Sequence, residues 1–210
     1  MNINKNQIKH NLFFLKMDET SLSNITDNSI LSKETEFNSS YESNSSKEVD
    51  LKNQIINSIS LSLDELIRRN KSQKINQDIF YLGFIPPITL KDYINHLMQQ
   101  TNMEISTLII SIIYIDRFCS KNNYHLNKNN IFRILLSSCL LSLKFNEDKM
   151  ITFKDYSEIS AVSVEDLKNL EFSMYLKLHF SLTVKYELYK SYFDYFSSYS
   201  LAKSDKKDNI

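Results

Sequence analysis

The stretch IFRILLSSCLLSLKF, residues 131–145, is apolar or small on almost every side of a helical wheel. A helix lying on a surface keeps a polar flank, so this pattern predicts a helix enclosed by neighbours, the hub of the fold. Ser137, Ser138, Cys139 and Ser142 are small enough to let other helices approach its axis, and inward hydroxyls can bond the carbonyl one turn back. Composition points the same way. One glycine and two prolines among 210 residues are too few for the turns of an all-β or doubly wound fold, or for a phosphate-cradling loop. The chain reads as all-α.

Twenty-five basic residues balance 25 acidic ones, so no bulk charge favours nucleic acid or an anionic membrane. Cys119 and Cys139 sit in apolar settings, without the four-ligand spacing of a zinc site or a disulfide framework. No metal, cofactor or small-molecule substrate is expected. Residues 12–15, LFFL, form an apolar run too short for a signal-peptide core, and no later run reaches a membrane-spanning length of about 18 residues. These features predict a soluble intracellular protein of the cytoplasm, the nucleus or both. His10, His96, His125 and His179 are scattered, with no acid, metal or phosphate motif around any of them, which disfavours an enzyme.

Residues 18–48 are rich in Ser, Asn, Glu and Thr with no sustained period, and read as a disordered tail. Ile55, Ile56, Ile59, Leu63, Leu66 and Ile67 then recur at helical spacing. Pro86 and Pro87 interrupt IFYLGFIPPITL, 79–90, and make it a connector, expected to lay Phe80, Phe84 and Ile85 on the domain's surface. Thr89 can cap a helix from Leu90 to about Asn102 that carries Tyr93, Ile94, Leu97 and Met98 inward. Further helices are predicted from about Ser106 to Lys121, over the hub, and over about 152–159. Another starts after Ser163, with Asp166 completing a variant capping box and Leu167, Leu170, Met174 and Leu178 as its buried stripe. A last one, about 184–197, carries Tyr186, Tyr189, Tyr192, Phe193 and Phe196, expected mainly to cover the core.

Four motifs stand in order at particular separations: IPPITLKDYINHL, SIIYIDRF, FRILLSSCLLSLKFNED and VSVEDLKNLEFSMYLKLHFSLTV. Together, over about residues 80–184, they resemble the single-box P-type (U-type) cyclins. That resemblance implies a single five-helix cyclin box with a flanking helix on each side: a tail over 1–48, an N-terminal helix over 49–78, the box over 79–183, a C-terminal helix over 184–200 and a polar tail over 201–210. It implies a non-catalytic regulatory subunit that binds and activates a cyclin-dependent protein kinase. The ends of the third and fifth box helices would dock on the kinase's mobile regulatory helix. Lys144 and Glu171 match the family's charged anchors, and Leu141, Phe145, Tyr175, Phe180 and Leu182 match its apolar contacts. A three-donor ammonium and an acceptor-only carboxylate suit the clamping of main-chain groups at a helix end. By themselves the two charges have plainer readings: Lys144 satisfying its own helix's last carbonyls, and Glu171 pairing with Lys168 three residues earlier.

Asp116 extends the inward stripe of Ile105, Leu108, Ile109 and Ile112, so it is expected to be buried and to need a partner. In cell-cycle cyclins the matching aspartate pairs with an arginine early in the first box helix, where this chain has Pro87. Arg133 on the hub is the candidate partner here. A second departure is ISAVS, 159–163, where the pattern usually has glycines. Ser160 and Ala161 disfavour positive φ, so a turn of different shape is expected. Two other readings stay open: a cyclin-fold adaptor for a non-kinase partner, and a transcription-type cyclin, which would bring a basic face and usually a second repeat.

Overall fold

The structure, a computed structural model, describes residues 41–73, 76–149 and 151–204, and side chains over 47–73, 76–149 and 151–198. Over the described residues the chain forms seven α-helices and no strand: α1 (Tyr41–Arg69), α2 (Leu90–Thr101), α3 (Ile105–Asn122), α4 (Ile131–Asn146), α5 (Phe153–Ser160), α6 (Val164–Lys177) and α7 (Tyr186–Ser204), with a 3₁₀ turn at Asn70–Ser72. Helices α2 to α6 are the five-helix box, and α1 and α7 flank it. Helix α1 begins at Tyr41, eight residues inside the stretch read as tail, and ends at Arg69, short of residue 78. The earlier part of that stretch and residues 205–210 lie outside the described residues.

The hub reading of α4 holds. Every residue from Ile131 to Leu143 except Arg133 is buried. The box helices close around it: Phe132 meets Tyr93 of α2 edge-on at 5.2 Å, and Tyr156 of α5 donates its hydroxyl to the Leu136 carbonyl at 3.1 Å. On α3, Thr107 offers its carbonyl to Ser142 Oγ at 2.8 Å, and Ser111 Oγ lies 3.5 Å from Cys139 Sγ. Ser137 bonds the Arg133 carbonyl one turn back, at 2.6 Å. The small residues thus do both things expected of them: they let α3 cross closely and they keep their own hydroxyls satisfied. Both cysteines are free and buried, and burial pushes the Cys139 thiol up to about 12 and the Cys119 thiol well above its ordinary value, which disfavours the thiolate of each.

Helix boundaries follow local chemistry. Thr89 Oγ1 accepts the Asp92 N–H at 3.1 Å, and α2 ends at Asn102 in the left-handed conformation with φ 50°. Thr152 and Asp155 form a reciprocal capping box on α5, and Ser163 accepts the Asp166 N–H at 3.1 Å to start α6. Ala161 does take the left-handed conformation, φ 54°, contrary to the expectation from its side chain. The neighbouring polar groups hold it there: Ser157 donates to the Val162 carbonyl, Ser160 to that of Tyr156, and His96 Nε2 meets that of Ile159. Of the three connector side chains expected at the surface, Phe80 instead enters the core, edge-on to Phe118 at 5.3 Å, while Phe84 and Ile85 stay exposed beside the two prolines.

Asp116 is 1% exposed, as the stripe required, and its carboxylate accepts the Tyr192 hydroxyl of α7 at 2.5 Å. Burial and the neighbouring Asp116 charge push the Tyr192 hydroxyl well above its ordinary range, which keeps it the donor. Arg133 is not the partner: it donates to the Ile79 carbonyl of the connector at 2.7 Å. The reason is rotational. Thr107 and Ser111 show which side of α3 faces α4, a side that continues through Ile115. Asp116 lies about 100° further round, toward α7. Helices α1 and α7 pack together on this side, joined by a hydrogen bond from Gln54 Nε2 to the Ser197 carbonyl.

Tyr192→Phe removes a donor from a buried carboxylate and should cost about 1–3 kcal/mol in urea or thermal unfolding. Combined with Arg133→Met its effect should add, because the two side chains share no partner; a coupling between them would restore the Asp116–Arg133 pair. Ser163→Ala should cost about 1 kcal/mol through the lost cap of α6, and Ser163→Gly only a few tenths, read from the same denaturation curves.

Candidate functional site

The end of α4 and the middle of α6 meet along one side of the hub. There a groove of about 260 Å³ is lined by Leu141, Lys144, Phe145, Glu171, Phe172, Tyr175 and Leu182. Six of the seven residues singled out in the sequence therefore share one surface, and the seventh, Phe180, adjoins it with its ring edge-on to Tyr175 at 4.7 Å. Lys144 stands in the last turn of α4, where the enclosed helix emerges from its neighbours. Its Nζ lies 2.8 Å from Glu171 Oε1 and 3.5 Å from the centre of the Phe153 ring on α5. Neither plain reading of these charges describes the geometry: the lysine reaches across to α6, and Glu171 pairs with it. The Lys144 side chain is 31% exposed and that of Glu171 19%, so the pair is reachable from solvent while leaning on an aromatic wall.

Around this pair the surface is unusually apolar. Phe145, Phe172 and Phe180 are 54%, 61% and 58% exposed, and Leu176, one turn beyond Phe172 on α6, is exposed as well. Leu141 and Leu182 are buried and form the floor. A charged anchor within a rim of aromatic side chains has the composition of a protein-docking surface. Phe172 and Leu176 were not among the residues singled out, although Phe172 falls with Lys168 and Tyr175 at helical spacing on the face that carries Glu171.

The far wall of the groove is the segment that follows α6. Leu178 closes the helix, and His179 and Phe180 then adopt φ values of 53° and 58°, with the Phe180 N–H bonded back to the Tyr175 carbonyl at 3.2 Å. Leu182 turns in while Ser181 and Thr183 stay exposed. Helix α3 holds this segment through side chains. Tyr114 donates to the Leu182 carbonyl at 2.9 Å, Arg117 to those of Ser181 and Thr183 at 3.1 and 3.0 Å, Lys121 to that of Leu178 at 3.1 Å, and Asn122 to that of Lys177 at 3.0 Å. Burial pushes the Tyr114 phenol above its ordinary value, so it remains protonated and donating. The adjacent acid and base of SIIYIDRF thus serve two directions, Asp116 toward α7 and Arg117 toward the groove's wall.

No described helix is long and apolar enough to cross a membrane. The cyclin family model matches the chain over residues 15–182. Among curated proteins the chain is similar to Cyclin-U2-1 of Arabidopsis thaliana, 26% identical over 133 residues, with 63% of this chain and 60% of the relative covered. It is likewise similar to Cyclin-U4-1 of Arabidopsis thaliana, 26% identical over 63% of this chain and 66% of the relative, and to Cyclin-P3-1 of Oryza sativa subsp. japonica, 24% identical over 62% and 58%. The matches span about three fifths of the length of these relatives. With a five-helix box built around an enclosed third helix, and a family match over most of its length, this chain belongs to the cyclin family and is of the P/U type.

Proposed function

We propose that the chain is the regulatory subunit of a cyclin-dependent protein kinase, which it binds and activates by docking on the kinase's mobile regulatory helix, with residues 79–183 as the box. Cyclins are generally non-catalytic regulatory proteins, and the reading gives this chain no reaction of its own. The single observation that carries it is the meeting of Lys144 and Glu171, 2.8 Å apart, inside the apolar groove between α4 and α6. A helix end presents unpaired N–H groups, which a carboxylate accepts, and main-chain carbonyls nearby, which an ammonium serves. The exposed phenylalanines supply the apolar contact that the anchors orient.

The pairing also bears on the energetics of docking. A partly exposed ion pair contributes about 0–1 kcal/mol to folding, so its loss leaves the fold standing. Its two members are held side by side before a partner arrives, and less side-chain freedom remains to be lost on binding.

Affinity purification from the native cell tests the reading. The wild-type chain should recover a cyclin-dependent kinase, and a Lys144→Ala, Glu171→Ala double variant, shown by circular dichroism to be folded, should lose it. Recovery of the same non-kinase partner by both chains would instead indicate an adaptor that keeps the fold for another use. Phe145→Ser with Phe172→Ser should leave the melting temperature near wild type, since both rings are exposed, yet reduce kinase recovery at least as strongly as the charge variants. Undiminished recovery would remove the groove from the interface.

A further inference from the structure

The grip of α3 on the segment behind α6 is more extensive than the joining of two helices requires. Along α3 the donors run 114, 117, 121, 122, one continuous side of the helix, while their acceptors lie between Lys177 and Thr183, those of the first two donors in the strap and those of the last two at the end of α6. Helix α6 already closes itself: the His179 N–H bonds the Leu176 carbonyl at 2.8 Å and the Phe180 N–H bonds that of Tyr175. The α3 side chains therefore act mainly on what comes next, a strap whose residues line or adjoin the groove.

We propose that Arg117 is a positioning residue for docking: its guanidinium holds the strap at Ser181 and Thr183 so that Phe180 stands at the groove's rim and Leu182 at its floor. The inference rests on the docking reading of that groove. The Ser181 and Thr183 carbonyls accept from different nitrogens of the same guanidinium, Nη1 and Nη2, a planar two-nitrogen fork that a lysine's compact ammonium does not reproduce. The backbone before the strap is strained in a way that needs such a hold. His179 and Phe180 are consecutive non-glycine residues in the left-handed region, a conformation that persists only where the surroundings over-determine it. Helix α6 fixes it from one side through its closing hydrogen bonds, and Arg117 from the other. Phe180 is thereby kept edge-on to Tyr175 and exposed at the rim, and Leu182 is kept as the floor. Arg117 hydrogen-bonds the strap, and it acts on the groove through it.

The test compares the wild-type chain with Arg117→Met, which keeps the stem and removes the donors, and Arg117→Lys, which restores charge and donors on a single nitrogen without the fork. Tyr192→Phe serves as a control that weakens the fold away from the groove. Hydrogen exchange read by mass spectrometry should rise about tenfold in residues 179–185 of Arg117→Met, with α4 and α6 at wild-type rates, the expected consequence of losing two charge-assisted hydrogen bonds. Kinase recovered from native-cell extract should fall about tenfold with Arg117→Met, be intermediate with Arg117→Lys, and stay near wild type with Tyr192→Phe. Wild-type exchange in the strap, loosening spread evenly over the box, or full kinase recovery by Arg117→Met would each overturn the proposal. If the wild-type chain itself recovers no kinase, it is the docking reading that has failed. Exchange then decides Arg117 alone: local loosening of the strap upholds its positioning role, and unchanged exchange overturns it.

Discussion

The structure depends on the close crossing of α3 over α4, which requires α4 to be almost free of bulk on the side that α3 occupies. Ser142 and Cys139 on one helix meet Thr107 and Ser111 on the other: Ser142 donates to the Thr107 carbonyl, Cys139 to the Ser111 hydroxyl, and Ser111 in turn to the Leu108 carbonyl of its own helix. A larger side chain there would force the axes apart, and an unsatisfied hydroxyl would leave a buried polar group without a partner. Once α3 and α4 are fixed, the remaining box helices have a cylinder to lean on, and their aromatic residues, Tyr93 and Tyr156, close the gaps around it. Helix α7 uses another side of α3, about 100° round from this crossing, where Asp116 ties it to the box through Tyr192.

The candidate site is a consequence of that enclosure. A helix buried along most of its length can present side chains only where it leaves its neighbours, and α4 does so at Lys144 and Phe145. Helix α6, packed along the same hub, brings Glu171 and Tyr175 to that exit. The charge pair and the aromatic rim are thus placed by rigid elements, and the one irregular wall, the strap after α6, is held by side chains of α3. Two adjacent residues of one helix, Asp116 and Arg117, divide the work: one secures α7 and the other the groove.

Much of this was legible in the sequence. The enclosed hub, the stripes of α1, α3 and α6, the caps at Thr89 and Ser163, and the burial of Asp116 all follow from residue type and periodicity, because helical spacing assigns faces without reference to distant parts of the chain. The groove residues were legible for a different reason, a motif order resembling a known family, and they prove to share one surface. The misreadings have a common origin. Arg133 and Asp116 are both polar residues on the two most buried helices, yet a difference of one position in α3, about 100° of rotation, sends them to different neighbours. Ala161 takes a backbone conformation that its own side chain disfavours, because three polar groups from α2 and α5 satisfy the carbonyls of the turn around it.

What the sequence determined by itself was the helical class, the central helix and the faces each helix buries, since these depend on local geometry that any helix imposes. What only the tertiary structure decided was which polar groups meet: Asp116 with Tyr192, Lys144 with Glu171 and Phe153, and Arg117 with the carbonyls behind α6. Apart from Lys144 and Phe153, which lie on successive helices, those partners are tens of residues apart along the chain, and a side chain's charge and reach specify only what kind of partner it needs. The angle at which helices cross specifies which one it finds.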